Sequence, residues 1–198
     1  MSKIYTIGSS IHTIDEFISL LNKYKINAVA DVRSVPYSQH TPQFNKEVLI
    51  RTLKGKSVYY LDFSKEFGAR RNEENAYTNN RVDFKKVINL PDFVHGIERI
   101  NTGISKGYKI ALLCTEKNPL DCHRFSLVSK TLIEKLNINV DHILFDGEIL
   151  NHYDLEKKML CDLGFENELF DDYKNLLENA YEKIINKVAY QELENSHE

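Results

Sequence analysis

The stretch Tyr108-Lys-Ile-Ala-Leu-Leu-Cys114 decides the predicted fold. It is a short and almost continuous apolar run, which is typical of a parallel strand covered by helices on both faces. A second stretch, Ala28-Val-Ala-Asp-Val32, has the same character and carries a single carboxylate near its end. Two such strands, separated along the chain by helical patterns, predict a mostly parallel sheet.

The segments around these two strands continue the alternation of strand and helix. Thr13-Ile-Asp-Glu16 predicts a capping box that opens an amphipathic helix, and Pro91 predicts the start of a helix that ends near Lys106. The other predicted elements are strands at 3–7, 57–61 and 140–145 and helices at 45–53 and 121–136. The pattern therefore predicts a Rossmann-like, three-layer α/β domain with a mostly parallel sheet of about five strands.

The length of 198 residues favours one domain with an appendage over two independent domains. We expect the α/β domain to occupy residues 1–150. Residues 151–198 have helical periodicity and predict a C-terminal helical extension packed on the same domain. Residues 64–80 are polar and predict a long loop outside the core.

Composition and charge restrict the function classes only broadly. The chain is 42% hydrophobic and 28% charged, as folded proteins are, and its formal net charge of -3 provides no global basic field for nucleic acid. No segment has the roughly 20 apolar residues of a membrane span, so no membrane partner is expected. Three cysteines, with no apolar leader near Met1, predict reduced thiols and a cytoplasmic location.

The first candidate cluster follows the strand at 28–32 and contains Asp31, Arg33 and Ser34. An arginine fork beside a carboxylate and a hydroxyl is suited to holding a phosphate or another anion, and Asp31 is a candidate catalytic carboxylate. The same residues are equally suited to an internal ion pair and a turn. Sequence leaves both readings open.

The second candidate cluster follows the strand at 108–114 and contains Glu116, Cys122, His123 and Arg124. Glu116 is a candidate general base and Arg124 a candidate anion ligand. Cys122, placed in the first turn of the predicted helix, is a candidate nucleophile, although successive helical residues do not share a face, so His123 need not reach it. A structural role for Cys122 is the favoured alternative.

Cofactor motifs are absent from the sequence. There is no Cys-x-x-Cys or His-x-x-x-His pair, so Cys114, Cys122, His123 and His142 do not predict a zinc site, and we expect no metal. There is also no P-loop and no Gly-x-Gly-x-x-Gly, so no nucleotide cofactor is expected. Tyr37 and Arg70 are candidates for stacking on a base and for closing over an anion.

Taken together, these stretches resemble the family known as domain of unknown function 488. The resemblance rests on Thr6-Ile-Gly-Ser-Ser10, Asp31-Val-Arg-Ser34 with Pro36, Pro42-Gln-Phe-Asn45, Gly68 with Arg70 or Arg71, and Cys114-Thr-Glu116 through Cys122-His-Arg124, and it spans about Ile4 to Gly147. It implies an α/β fold and one shared site that includes Ser10. Where the family usually has His in a Gly-His-Ser turn this chain has Ser9, so a role of that histidine does not transfer.

Three functions follow as hypotheses. The first is an enzyme acting on a nucleoside, nucleotide or nucleic acid through the carboxylates and arginines. The second is a sulfur-transfer or redox protein that uses Cys122. The third is a non-catalytic module that binds nucleic acid or a small anion. Whether the protein is an enzyme, and its oligomeric state, are left open.

Overall fold

A computed structural model describes residues 3–10, 12–165 and 172–192 of the chain. Its strands are β1 (Lys3–Gly8), β2 (Ala28–Asp31), β3 (Tyr59–Asp62), β4 (Tyr77–Thr78), β5 (Arg81–Val82), β6 (Ile110–Cys114), β7 (Asn139–Ile143) and β8 (Ile149–Asn151). Its α-helices are α1 (Ile14–Lys23), α2 (Lys46–Lys54), α3 (Ser64–Phe67), α4 (Phe84–Val87), α5 (Pro91–Ser105), α6 (Lys130–Leu136), α7 (His152–Asp162) and α8 (Tyr173–Val188). Short 3-10 helices lie at Pro42–Phe44, Glu74–Ala76 and Pro119–Asp121, and a π-helix spans Arg124–Ser129.

The main sheet has six strands in the order β3-β2-β6-β1-β7-β8. The first five are parallel, and β8 runs antiparallel to β7 at the edge. The predicted mostly parallel α/β fold is therefore confirmed. The sixth strand was not predicted because Ile149–Asn151 is three residues long and lies directly before a helix, too short for a period-2 pattern.

Helices cover both faces of the sheet, because successive strand residues point to opposite sides. On one face, Phe17 and Leu21 of α1 and Leu49 of α2 pack with Leu113 of β6. On the other face, helix α5 and the segment from the π-helix into α6 pack on the alternate strand residues, which include Cys114. The capping box at Thr13 forms as predicted, with its hydroxyl accepting from the Glu16 backbone N–H.

The polar segment after β3 is more ordered than the predicted loop. Helix α3 lies within it, and Phe67 of that helix is buried against Phe63 and Phe93, with ring centroids 5.3 and 5.0 Å apart. The buried apolar residues among residues 64–80 are Phe67 and Ala76, too few for a helical period, which is why the sequence pattern indicated a loop.

The C-terminal helices α7 and α8 pack against the segment that follows β6. Leu120 and Phe125 form an apolar cluster with Met159 of α7 and with Ala180 and Tyr181 of α8. The part of the predicted extension at residues 166–171 and 193–198 lies outside the described residues. Among the helices of the described part, none is both long enough and apolar enough to cross a membrane.

A buried chain of hydrogen bonds joins the centre of the sheet to these helices. Thr6 Oγ1 lies 2.8 Å from His142 Nδ1, and His142 Nε2 lies 3.0 Å from His152 Nδ1. His152 Nε2 is 2.9 Å from the Tyr181 hydroxyl, which donates to Glu156 Oε1 at 2.6 Å. Burial lowers the pKa of His142 well below its usual range and lowers that of His152 to about 3. Both imidazoles are therefore neutral in the folded protein.

This chain predicts an acid-dependent loss of stability. Below pH 6.5 the unfolded state binds protons that the folded histidines do not, so stability falls as the pH is lowered. Between pH 7.5 and 5.5 each buried histidine contributes about 1.4 kcal/mol of this loss. Urea unfolding at the two pH values should show a correspondingly smaller loss in His152→Gln. The exposed His40 provides the control His40→Gln, which should match the wild type, and an unchanged loss in His152→Gln would contradict the assignment.

Candidate functional site

The carboxyl ends of three neighbouring strands place the candidate residues at one edge of the sheet. In the parallel register, Gly8 of β1 lies beside Cys114, and Asp31 of β2 lies beside Leu113. Because side chains alternate, Asp31 points to the same face as Leu113 and Cys114 points to the opposite face. The two predicted clusters are thus adjacent along the edge but separated by the plane of the sheet.

Asp31 and Arg33 form a buried ion pair. Arg33 Nε and Nη2 donate to the two Asp31 carboxylate oxygens at 2.8 and 2.6 Å, and Nη2 also donates to the Phe44 carbonyl at 2.9 Å. The Tyr60 hydroxyl donates to Asp31 as well, at 2.9 Å. Burial alone would lower the pKa of Arg33, but the bond and the charge of Asp31 outweigh it and raise that pKa. This guanidinium is committed to internal partners.

The other predicted ligand residues lie around this pair without converging on it. The Ser34 hydroxyl accepts from the backbone N–H of Arg70, whose guanidinium lies 4.9 Å from the Tyr190 ring centroid. Tyr37 is 64% exposed. The Ser10 backbone N–H donates to the Thr115 carbonyl and so holds the turn after β1 against the turn after β6.

Two thiols and an imidazole come together on the opposite face. His123 Nδ1 lies 3.8 Å from Cys114 Sγ and 3.9 Å from Cys122 Sγ, and all three atoms lie within 4.8 Å of one another. All three residues are buried. The Cys114 thiol donates to Glu116 Oε2 at 3.0 Å, and the Glu116 side chain is 43% exposed. Glu116 therefore marks the solvent side of the cluster.

The backbone between Leu120 and Arg124 explains how adjacent residues reach the same point. Cys122 has extended dihedral angles (φ −141°, ψ 140°), because it follows the 3-10 helix and precedes the π-helix. His123 already has helical angles (φ −60°, ψ −20°). The prediction that Cys122 lies in the first helical turn is therefore wrong. The helical rule does not apply to an extended residue.

Hydrogen bonds orient the members of the cluster. His123 Nε2 lies 3.1 Å from the Val32 carbonyl, which fixes the ring and leaves Nδ1 towards the sulfur atoms. The backbone N–H of Arg124 donates to Cys122 Sγ at 3.4 Å. The bond to Val32 also connects the cluster to the segment that carries Arg33. It is therefore a direct contact between the motif at Asp31–Ser34 and the motif at Cys122–Arg124.

The Arg124 side chain is fully buried and donates hydrogen bonds to backbone carbonyls of the turn after β6. Its Nη1 donates to the Glu116 carbonyl at 2.8 Å and its Nη2 to the Lys117 carbonyl at 3.4 Å, while Nη1 lies 3.9 Å from the Glu116 carboxylate. The guanidinium thus closes the turn after β6. Neither Arg124 nor Arg33 presents a free fork to an anion in this arrangement.

The pKa shifts follow from burial and from these neighbours. Burial raises the pKa of Cys114, and the neighbouring Cys122 raises it further. Burial also opposes ionisation of Cys122, but the neighbouring Cys114 thiol and the charges of Arg124 and His123 outweigh it and lower the pKa of Cys122 well below its usual range. Burial raises the pKa of Glu116, and the charge of Cys122 adds to the effect. Burial would lower the pKa of His123, but Cys122 outweighs it and raises that pKa.

The segment after Cys122 has two further unusual features. Its six-residue π-helix is entirely buried, and π-helical turns are rare and are frequently found at functional sites. Three atoms of this segment, Arg124 Nε, Ser126 Oγ and Ser129 Oγ, are buried without a hydrogen-bond partner in the described part of the chain, as is Ser9 Oγ in the turn after β1. The helix after β6 was predicted as a regular α-helix, because a π-helical turn has no distinct apolar period in sequence.

Sequence reasoning named Cys114 as a possible metal ligand but left it out of the candidate site. The signal that places it there is its position as the last residue of β6, where parallel strands end at a ligand-binding edge. The expectation of no metal rested on missing Cys-x-x-Cys spacing. The three ligand-type atoms come instead from a strand end and a helix start, which spacing rules do not cover.

A family model described as "Domain of unknown function DUF488" matches residues 13–131, more than half of the chain. The matched range contains β2, β6 and every residue of the thiol–imidazole cluster. No curated protein and no solved structure matches the chain.

The close approach of β1 to the turn after β6 predicts a strict requirement for Gly8. A Cβ at this position would lie 2.1 Å from the Glu116 carbonyl oxygen, a backbone atom, and 3.4 Å from Arg124 Nη2. Gly8→Ala should therefore lower the free energy of unfolding by about 1–3 kcal/mol. Gly55→Ala is the matched control, since its nearest contact would be 3.4 Å. Equal unfolding free energies for the two variants would show that the turn can move freely.

The buried ion pair gives a second prediction. Asp31→Asn leaves the Arg33 guanidinium buried without its counter-charge and should cost about 3–5 kcal/mol in urea unfolding. The exposed Lys157–Asp154 pair is the control, and Asp154→Asn should cost less than about 1 kcal/mol. A cost for Asp31→Asn no greater than that control would mean that Arg33 is available for another partner.

Proposed function

The chain belongs to the DUF488 family, and we propose from the geometry of its site that it is a cysteine-centred redox protein, in which Cys114 and Cys122 interconvert between two thiols and a disulfide. The observation that carries this proposal is the mutual approach of the two Sγ atoms and His123 Nδ1 to within 4.8 Å. A disulfide needs the sulfur atoms at about 2.05 Å, so the proposed reaction requires the two side chains to rotate towards each other.

The chemistry requires an oxidant small enough to enter a buried site, and a hydroperoxide meets this requirement. The Cys122 sulfur attacks one peroxide oxygen, the O–O bond breaks, and the leaving oxygen departs as water (or as an alcohol) to give a sulfenic acid. The Cys114 sulfur then attacks the Cys122 sulfur, the S–O bond breaks, and a second oxygen leaves as water. With hydrogen peroxide the sum is two thiols and one peroxide converted to a disulfide and two waters.

Cys122 is the attacking sulfur because the site supports negative charge on it. The Arg124 backbone N–H donates to Cys122 Sγ, and the positive charge of the Arg124 guanidinium favours a thiolate at Cys122. Cys114 is suited to be the second thiol, since its own hydrogen bond points to Glu116. A small thiol reductant returns the pair to the reduced state by exchange, and its own sulfur is oxidised to a disulfide.

Burial gives the site its selectivity. Reactive cysteines are usually partly exposed, and both sulfur-bearing residues here are almost completely buried. The half-exposed Glu116 side chain, in contact with Cys114, is the solvent side from which a small oxidant approaches. We therefore expect hydroperoxides to react much faster than bulky aromatic disulfides.

The two other hypotheses remain predictions. An enzyme acting on a nucleoside, nucleotide or nucleic acid, and a non-catalytic anion-binding module, both relied on Arg33 and Arg124 as anion ligands. Both guanidiniums donate to internal acceptors, so either function requires these bonds to open on binding. The two sulfur atoms already lie within 4.8 Å of each other, which is why the geometry favours the thiol pair.

The proposal predicts a specific disulfide. Fully reduced protein treated with hydrogen peroxide should lose two hydrogen atoms per chain, and peptide mapping should join Cys114 to Cys122. Cys114→Ser should stop at the sulfenic acid on Cys122, detected by mass spectrometry as one added oxygen, and Cys122→Ser should form no disulfide. The exposed Cys161 provides the control Cys161→Ser, which should behave as the wild type. A disulfide that involves Cys161, or two thiols at positions 114 and 122 that stay reduced, would overturn the proposal.

A further inference from the structure

Cys114, Cys122 and His123 also have the composition and geometry of a metal site. We propose that these three residues bind one thiophilic divalent cation of the zinc class, through Cys114 Sγ, Cys122 Sγ and His123 Nδ1. Two sulfur ligands and one imidazole nitrogen are a known ligand set for zinc, whereas magnesium and calcium prefer oxygen. The inference needs no redox chemistry and stands on the positions of the three side chains.

The distances fit a tetrahedral centre with little rearrangement. With Zn–S bonds of about 2.3 Å and a Zn–N bond of about 2.1 Å, a tetrahedron places sulfur and nitrogen about 3.6 Å apart and the two sulfurs about 3.8 Å apart. The observed sulfur–nitrogen separations are 3.8 and 3.9 Å, and the two sulfurs lie within 4.8 Å of each other. Small side-chain rotations bring all three atoms to bonding distance of one point.

The surroundings of the cluster supply what metal ligands need from their neighbours. His123 uses Nε2 to contact the Val32 carbonyl, an arrangement that fixes the ring and leaves Nδ1 free to bind the cation. The Arg124 backbone N–H donates to Cys122 Sγ, a bond that remains possible when the sulfur is metal-bound. Both supports come from the backbone, so they do not depend on another side chain.

Charge also favours a dication at this position. Two thiolates bring two negative charges into a buried site, and a dication offsets them without further partners. The charges of Arg124 and Glu116, 3.9 Å apart, offset each other beside the cluster. Three protein ligands leave the fourth position open, and the half-exposed Glu116, in contact with Cys114, lies on the solvent side where a water or its own carboxylate completes the shell.

Metal occupancy would regulate the proposed redox reaction, and this part of the inference rests on the proposed function. A cation bound to both sulfurs withholds the electron pairs that would attack the peroxide. It also holds the two sulfur atoms apart from each other. Oxidation of the pair removes two ligands and releases the metal. The zinc-loaded protein should therefore form the disulfide more slowly than the metal-free protein.

The test is titration of the reduced, metal-stripped full-length chain with Co²⁺ and then Zn²⁺. One Co²⁺ per chain should bind, with sulfur-to-cobalt charge-transfer absorption and the intense visible bands of a tetrahedral centre, and Zn²⁺ should displace it. Cys114→Ser and Cys122→Ser should each weaken binding by more than the ~10–100-fold effect of losing an outer-shell partner. Cys161→Ser is the control and should bind as the wild type does.

Several outcomes separate the two proposals. Absence of charge-transfer absorption in the folded wild type, or absorption that survives in Cys122→Ser and disappears in Cys161→Ser, would overturn the metal site. Circular dichroism of each variant shows whether a loss of binding reflects unfolding, and the wild-type cobalt spectrum reports sulfur ligation without any substitution. A disulfide without metal binding removes only the metal site, and metal binding without a disulfide removes only the redox function.

Discussion

The register of the parallel strands β2, β6 and β1 is the constraint on which the site depends. It places the ends of all three strands at one level, so that the turns after Gly8, Asp31 and Cys114 meet. Because side chains alternate along each strand, the functional residues at this edge lie on two opposite faces of the sheet. Asp31 and Arg33 close an ion pair on the face covered by α1 and α2, and Cys114 turns to the other face, where Cys122 and His123 meet it.

Much of the fold could be predicted, because the patterns that define it are local. The apolar run to Cys114, the capping box at Thr13 and the proline at 91 each determine their element with little help from distant residues. The predictions became inaccurate where tertiary contacts decide. Phe67 orders a polar segment by stacking on Phe63, and β8 depends on its pairing with β7.

The location of the site along the chain stays a prediction, and the internal arrangement of its residues was not predictable from sequence. Helical spacing gave no reason for His123 to reach Cys122, and the extended backbone at Cys122 brings the two side chains together. The arginines suggested an anion site because sequence shows their charge but not their acceptors, which are mainly backbone carbonyls and Asp31. The dihedral angles and hydrogen-bond partners of single residues are set by tertiary packing. The composition and the hydrophobic periodicity of a sequence do not determine that packing.

The central claim is that Cys114 and Cys122 form one thiol pair, and a reagent that needs two adjacent sulfurs tests it most directly. A small trivalent arsenical bridges two thiols only when they are close neighbours. The account predicts one arsenic per reduced chain, with Cys114 and Cys122 both protected when the treated protein is then unfolded and alkylated, and Cys161 still alkylated. An arsenical that leaves either Cys114 or Cys122 open to alkylation after this unfolding would contradict the account.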